Sequence, residues 1–301
     1  MNRRFAALAA VLALAACKKA EQGASADSTL APRDSFTVVD SFRTPESVLH
    51  DSVMDVYVVS NINGNPTAKD DNGFLSRVAP DGRVLELRWV DGVSDNVTLH
   101  APKGMGIRGD TLFVADIDEV RLFDRTSGAP LGSRAVRGAT FLNDVTVGPD
   151  GTVYVSDTGL RPDFSRSNTD AVYRFGEGGR AVPLAQGTSL DQPNGIFAYE
   201  LGVLVVTWGG SAYVLDSLGR RTELQKPPHG QLDGVFRGPG GSLYASSWAD
   251  SSIVALPAGD VEWRALLTGM EAPADIGFDA RRGRVLVPLF NANRLEVRPL
   301  R

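Results

Sequence analysis

Four residues with hard oxygen side chains, Glu46, Asn143, Asn194 and Asp233, stand at the same position of a quartet that is written six times along the chain. The quartets are Pro45-Glu46-Ser47-Val48, Pro102-Lys103-Gly104-Met105, Leu142-Asn143-Asp144-Val145, Pro193-Asn194-Gly195-Ile196, Leu232-Asp233-Gly234-Val235 and Pro273-Ala274-Asp275-Ile276. Their second residues form a column: Glu46, Lys103, Asn143, Asn194, Asp233, Ala274. Singly, Asn or Asp beside Gly is an ordinary turn residue. Two carboxylates and two carboxamides in one register are a different matter, because they form a donor set for Ca²⁺, which takes about six to eight oxygens. Zn²⁺ favours nitrogen and sulfur, and no column position is His or Cys. Brought together without a cation, two carboxylates repel and one stays protonated. A divalent ion balances Glu46 and Asp233, and four protein ligands leave about two to four positions for water or a small-molecule substrate.

Such a column needs elements that converge on one axis. Successive column positions are separated by 57, 40, 51, 39 and 41 residues, a period near forty that suits a four-stranded propeller blade. Each quartet opens a strand, followed by a turn such as Gly148-Pro149-Asp150-Gly151 and a β-rich run: Val56–Asn61, Thr111–Asp116, Thr152–Asp157, Val203–Trp208, Ser242–Ser247 and Val285–Phe290. A third strand (Val120–Asp124, Val172–Phe175, Ser211–Leu215, Ile253–Leu256) and a less regular outer one complete the unit. The last unit has room for only three strands, Asp275–Asp279, Arg284–Pro288 and Arg294–Arg298. An open edge is a liability, and Phe36–Phe42 is the natural fourth strand. The sequence therefore predicts an all-β, six-bladed β-propeller over residues 35–301, closed by an N-terminal strand joining the C-terminal blade. Innermost strands line the channel of a propeller, so the column residues meet there.

Loops between the second and third strands lie on the face where the first strand begins, and two are long: 61–73, which includes Asn63, and 158–170. Long loops on one face are where binding concentrates. Trp208, Trp248 and Phe290 end the second strands of units four to six and give a pocket an apolar wall or, equally, pack between blades. Asp70-Asp71-Asn72-Gly73 lacks the rest of an EF-hand and reads as a turn. Among the histidines, His229, four residues before Asp233, is the acid/base candidate; His100 lies in a similar connection and His50 reads as structural. Serine-elbow, phosphate-loop and dinucleotide fingerprints are absent from the sequence.

The N-terminus bears on compartment. Asn2-Arg3-Arg4 precedes an apolar run of twelve residues, Phe5–Ala16, which ends in Leu14-Ala15-Ala16-Cys17. Twelve residues are too few for a membrane-spanning helix of about twenty, which favours a cleaved signal. Leu-Ala-Ala-Cys resembles a bacterial lipobox, in which Cys17 is acylated; residues 1–17 are then the signal and 18–34 a polar tether. A lipid-anchored monomer in the cell envelope, on the periplasmic or extracytoplasmic face, is expected. Cys17 is the only cysteine, which excludes a disulfide or thiol nucleophile in the domain. Loss of Arg3 and Arg4 takes the formal charge from −5 to −7, and an acidic domain without basic clusters is a poor partner for nucleic acid.

In its order of Glu46, Asn143-Asp144, Pro193-Asn194-Gly195 and Asp233-Gly234, the chain resembles the SMP-30/gluconolactonase/LRE-like group of six-bladed calcium-dependent hydrolases, with diisopropylfluorophosphatase-like enzymes and paraoxonases as broader relatives. The resemblance covers roughly Phe36 to Arg301. It implies that Glu46, Asn143, Asn194 and Asp233 hold a catalytic Ca²⁺, that the ion polarises a lactone, ester or phosphoester oxygen, and that Asp233 doubles as general base or nucleophile. Two departures stand out. Glu46-Ser47-Val48-Leu49-His50-Asp51 replaces the group's Glu-Gly-Pro and tryptophan, and Lys103 takes the place of the paraoxonase histidine. Two roles are open to Lys103: stabilising an oxyanion or substrate carboxylate, or pairing with Glu46 or Asp233 in place of the metal. The corresponding functions are a metal-dependent lactone or ester hydrolase and a non-catalytic NHL-like propeller serving as a lipid-anchored binding protein.

Overall fold

The computed structural model describes residues 35–38 and 41–300. The signal, Cys17 and the tether lie outside the described residues. Six antiparallel sheets of four strands follow one another along the chain. Blade one is β2 (Pro45–Asp51), β3 (Val56–Asn61), β4 (Phe74–Val78) and β5 (Val84–Asp91). Blade two is β6 (Pro102–Arg108), β7 (Thr111–Asp116), β8 (Glu119–Asp124) and β9 (Pro130–Ala135). Blade three is β10 (Leu142–Val147), β11 (Val153–Asp157), β12 (Ala171–Phe175) and β13 (Ala181–Gln186). Blade four is β14 (Pro193–Tyr199), β15 (Gly202–Thr207), β16 (Ala212–Leu215) and β17 (Arg221–Glu223), and blade five is β18 (Leu232–Arg237), β19 (Leu243–Ser247), β20 (Ser252–Leu256) and β21 (Arg264–Thr268). The innermost strands contact one another in sequence and the ring closes from blade six back to β2.

Blade six is composite, as the sequence predicts: β1 (Phe36–Val38) adds to β24 (Arg294–Pro299), beside β23 (Arg284–Leu289) and β22 (Gly277–Asp279). The register pairs Phe36 with Val297 and Val38 with Leu295. The closing strand is described only over Phe36–Val38, and the innermost strand starts at Gly277 instead of Asp275. Asp275 is drawn to the neighbouring blade, its N–H donating to Glu46 O at 2.8 Å and its backbone bridging in parallel to Ser47. Two further devices seal the seam. Phe42, fully buried, packs with Val38, Tyr57, Leu286 and Leu295. Arg282, on the turn before β23, donates in a fork to both oxygens of Asp55, at 2.8 and 2.7 Å, on the turn before β3.

The second strands show why the sequence folds this way. A blade is covered on both faces by its neighbours, so a central strand becomes a continuous run of β-branched residues without alternation. Val203-Leu204-Val205-Val206 in β15 is buried throughout. Each fully buried aliphatic side chain of this kind contributes about 1.5–3 kcal/mol. Outer strands such as β9 are largely exposed. No helix among the described residues is long and apolar enough to cross a membrane.

Candidate metal and substrate site at one end of the channel

Every column residue of blades one to five sits in an irregularity at the start of its innermost strand. In β10, Leu142 pairs with Asp157 and Val145 with Val155, so three steps on one strand face two on the other. The same extra residue falls between Pro45 and Ser47, Pro102 and Met105, Pro193 and Ile196, and Leu232 and Val235. A bulge of this kind leaves one residue out of the ladder and re-aims its side chain. Bulging frees backbone N–H groups that must be satisfied, and buried serines of the second strands do this. Ser60 Oγ accepts from Ser47 N at 2.9 Å, Ser156 Oγ from Asp144 N at 3.0 Å and Ser246 Oγ from Gly234 N at 2.8 Å. Ser156 and Ser246 also donate across to the next blade, to Asn194 O at 2.6 Å and Ala274 O at 2.8 Å. The glycines follow from the tightness of this inner ring: a Cβ on Gly195 would lie 2.1 Å from Asp233 O, and one on Gly234 2.2 Å from Ile276 N.

Glu46, Lys103, Asn143, Asn194 and Asp233 meet at the floor of a cavity of about 290 Å³. All five are buried. Glu46 Oε2, Asn143 Oδ1, Asn194 Oδ1 and Asp233 Oδ1 each lack a hydrogen-bond partner among the described residues. Leaving one buried acceptor unsatisfied costs about 1–3 kcal/mol, and these four hard oxygens line one cavity, a donor set that a single cation would satisfy. Neighbours fix the orientation of two of them, Asn143 and Asp233. Thr158 Oγ1 donates to Pro193 O at 2.7 Å and accepts from Asn143 Nδ2 at 3.0 Å, which turns the amide oxygen the other way. Trp248 Nε1 donates to Asp233 Oδ2 at 2.8 Å, leaving Oδ1 free.

The electrostatics agree. Burial, then Asp233 and Asp275, pushes the Glu46 carboxyl well above its ordinary range, with Lys103 opposing. Burial and Asp275 raise Asp233 in the same way. Two more buried acids stand beside the column: Asp144, raised by burial and Asp275, and Asp275, pushed up to about 7 by burial. Among the described residues, Lys103 is the one cation whose charge opposes these acids at Glu46. Its Nζ donates to Ala101 O at 3.0 Å, lies 4.5 Å from the Phe141 ring centroid, and makes no ion pair within 4.0 Å among the described residues. Burial lowers its pKa against the pull of Glu46 and Asp116. A divalent cation fits this donor set: hard oxygens with free lone pairs and excess negative charge. No cluster of three or more His, Cys, Asp or Glu side chains placed for a metal occurs among the described residues, as expected where half the donors are carboxamides.

A larger cavity, about 450 Å³, follows the channel beyond the column and reaches Asp144 and Asp275. Those carboxylates are occupied with backbone and serine donors: Asp144 accepts from Val145 N at 2.6 Å and Ile196 N at 2.7 Å, and Asp275 from Ser47 Oγ at 2.5 Å. They tie the innermost strands together, and the smaller cavity is where the free oxygens are.

Trp208, Trp248 and Phe290 line the smaller cavity, as do Leu160 and Phe164 of the long loop in blade three. Asn63 does not line it; at a φ of 59° its amide donates to Asn72 O at 2.9 Å and braces its own loop. Ile62 and Pro66 are the lining residues from that loop. His229 also lies outside the lining, half-exposed, its Nε2 3.4 Å from Asp250 Oδ1. His50 does not line the column oxygens' cavity; it lines the larger one and sits between Asp55 at 3.1 Å and Asp279 at 3.5 Å. The buried serines, Asp144 and Asp275 were not legible as site residues. The trace that could have found the serines is their repetition near the end of β3, β11 and β19, and for Asp144 and Asp275 it is their shared third position in the quartets.

No protein-family profile and no curated protein matches the sequence. Solved structures do match its fold. The chain is similar to a gluconolactonase from Xanthomonas campestris, with 20% identity, a TM-score of 0.67 and 89% of each chain covered. It is similar to a luciferin-regenerating enzyme, with 13% identity, a TM-score of 0.65 and coverage of 88% of this chain and 96% of the other. A streptogramin B lyase gives 12% identity, a TM-score of 0.61 and coverage of 89% and 98%. At these identities the likeness is one of fold: the chain is a six-bladed β-propeller of the kind that gluconolactonase-like enzymes are built on.

Proposed function

We propose that this protein is a calcium-dependent hydrolase of a small lactone or ester, of the SMP-30/gluconolactonase type, exported and held at the membrane through Cys17. The observation that carries the proposal is the set of four buried oxygens without partners, on Glu46, Asn143, Asn194 and Asp233, at the floor of one cavity. These four would hold the cation, and a bound Ca²⁺ supplies Lewis-acid polarisation of a carbonyl. The rest falls to the chain's own residues. Asp233, whose Oδ2 accepts from the indole of Trp248, would face the cation through Oδ1, and the remaining lone pair of that oxygen would take a proton from an attacking water or attack directly. Lys103 spends one donor on Ala101 O and has two left for an oxygen that becomes negative during reaction. The aromatic walls keep bulk water from the floor.

A second reading rests on Lys103 itself: an ammonium among buried carboxylates offsets part of the charge a metal would neutralise, as in a non-catalytic, NHL-like binding propeller. A panel of lactones and aryl esters assayed with calcium and with chelator separates the two. Turnover that chelation abolishes and calcium restores supports the hydrolase; turnover indifferent to chelation sinks it, and none on any substrate favours the binding protein.

A further inference from the structure

The walls of the cavity differ in kind from its floor. Trp208, Trp248 and Phe290, from blades four, five and six, form a continuous aromatic surface: Trp208 and Trp248 meet edge to face with centroids 5.5 Å apart, and Trp248 and Phe290 lie 5.1 Å apart. Phe141, Leu160 and Phe164 face the same space from blade three. Phe164, which lines the cavity, is 53% exposed.

Polar side chains on the walls are already committed. The Thr158 hydroxyl is used by Pro193 O and Asn143, and the Trp248 indole by Asp233. Above the floor this leaves the Trp208 indole as the single uncommitted side-chain donor among the described lining residues, and no side-chain acceptor. Away from the floor, a polyhydroxylated ring would have several hydroxyls facing walls that offer them one donor, and burying an unpaired hydroxyl is costly. An aromatic or alkyl group meets matching surface. The volume, about 290 Å³, is at the small end of ligand sites, near 300 Å³, enough for one ring with a short substituent.

We infer that the site selects small apolar, preferably aromatic, lactones or esters and discriminates against sugar lactones. This deepens the hydrolase reading and rests on it for the word "substrate", while the ligand preference stands on the walls alone. The test has two arms. In the first, kcat/KM is measured with calcium for dihydrocoumarin and for glucono-δ-lactone; the aromatic lactone is expected to be favoured by at least about 100-fold, the scale on which pocket polarity discriminates. In the second, calorimetry compares binding of the ring-opened products, 3-(2-hydroxyphenyl)propanoate and gluconate, to the calcium-loaded protein. The aromatic acid is expected to bind at least tenfold tighter, with the advantage reduced in Trp208→Ser and, on the exposed rim where folding is not at stake, in Phe164→Ser. Aromatic binding without turnover of either lactone removes the hydrolase and leaves this inference standing. Equal or better turnover of glucono-δ-lactone overturns the inference and leaves the hydrolase. Equal binding of both acids, binding of neither, or an advantage indifferent to both variants also overturns it.

Discussion

Glu46 and Asp233 are each held in a site that penalises their charged forms, and this gives the metal-free protein a pH dependence of definite sign. Their carboxyls are raised by burial and by acidic neighbours, and Asp275 is pushed from an ordinary 3.8 to about 7. The folded state therefore binds more protons than the unfolded state between roughly pH 4 and 7. Stability must fall as pH rises through that window. Thermal melts in chelator are expected to show a lower Tm at pH 7.5 than at pH 5.5, with excess calcium removing or reversing the difference; a chelated protein whose Tm rises across this range would contradict the assignment. Lys103 separates two roles. Lys103→Met removes a buried cation near the column, so calcium should bind more tightly, by about tenfold or more in a titration. A loss of turnover alongside that gain identifies the ammonium as part of the hydrolytic site, whereas unchanged turnover confines it to charge balance. These residues were legible in the sequence because four oxygen side chains share one register. Asn63 and His229 were misplaced for a local reason: a loop residue's direction depends on backbone angles and neighbours, such as Asn72 and Asp250, that spacing does not encode.

Strands and turns deliver the column to the axis, and the bulge is the element that aims it. Repeats and the second-strand runs were readable because glycine and proline punctuate residues that favour strands. The bulges were not, since an extra residue is visible only against its partner strand. Ser246 is the clearest test of this layer, because its hydroxyl satisfies Gly234 N in blade five and Ala274 O in blade six. Ser246→Ala is expected to cost about 1–3 kcal/mol in denaturant unfolding and to weaken calcium binding through the adjacent Asp233. An effect on neither would show that the serine bridge does not hold the site. The closing seam is a separate matter of packing. Phe42→Ala empties a fully buried position between blades six and one and is expected to lower stability by about 3–5 kcal/mol. A change below about 1 kcal/mol would mean that the seam is held chiefly by Arg282 and Asp55 and by strand β1.

At the scale of the whole molecule, a ring of six blades brings residues from Glu46 to Asp233 into one cavity. The ring follows from the period of the quartets, and its N-terminal closure from a last unit with room for only three strands. Wall chemistry was only partly foreseen: Trp208, Trp248 and Phe290 stood out at strand ends, but Ile62, Pro66, Leu160 and Phe164 lie in loops whose course the sequence does not fix. In the proposed function, the four unsatisfied oxygens hold one divalent cation. Calorimetric titration of calcium into chelator-stripped protein tests it most directly, beside Asp233→Asn, which keeps an acceptor for Trp248 and removes one charge. One ion bound per chain by the wild type, with affinity at least tenfold weaker in the variant, is the expected result. No binding by the folded wild type, or equal binding by both proteins, would contradict it.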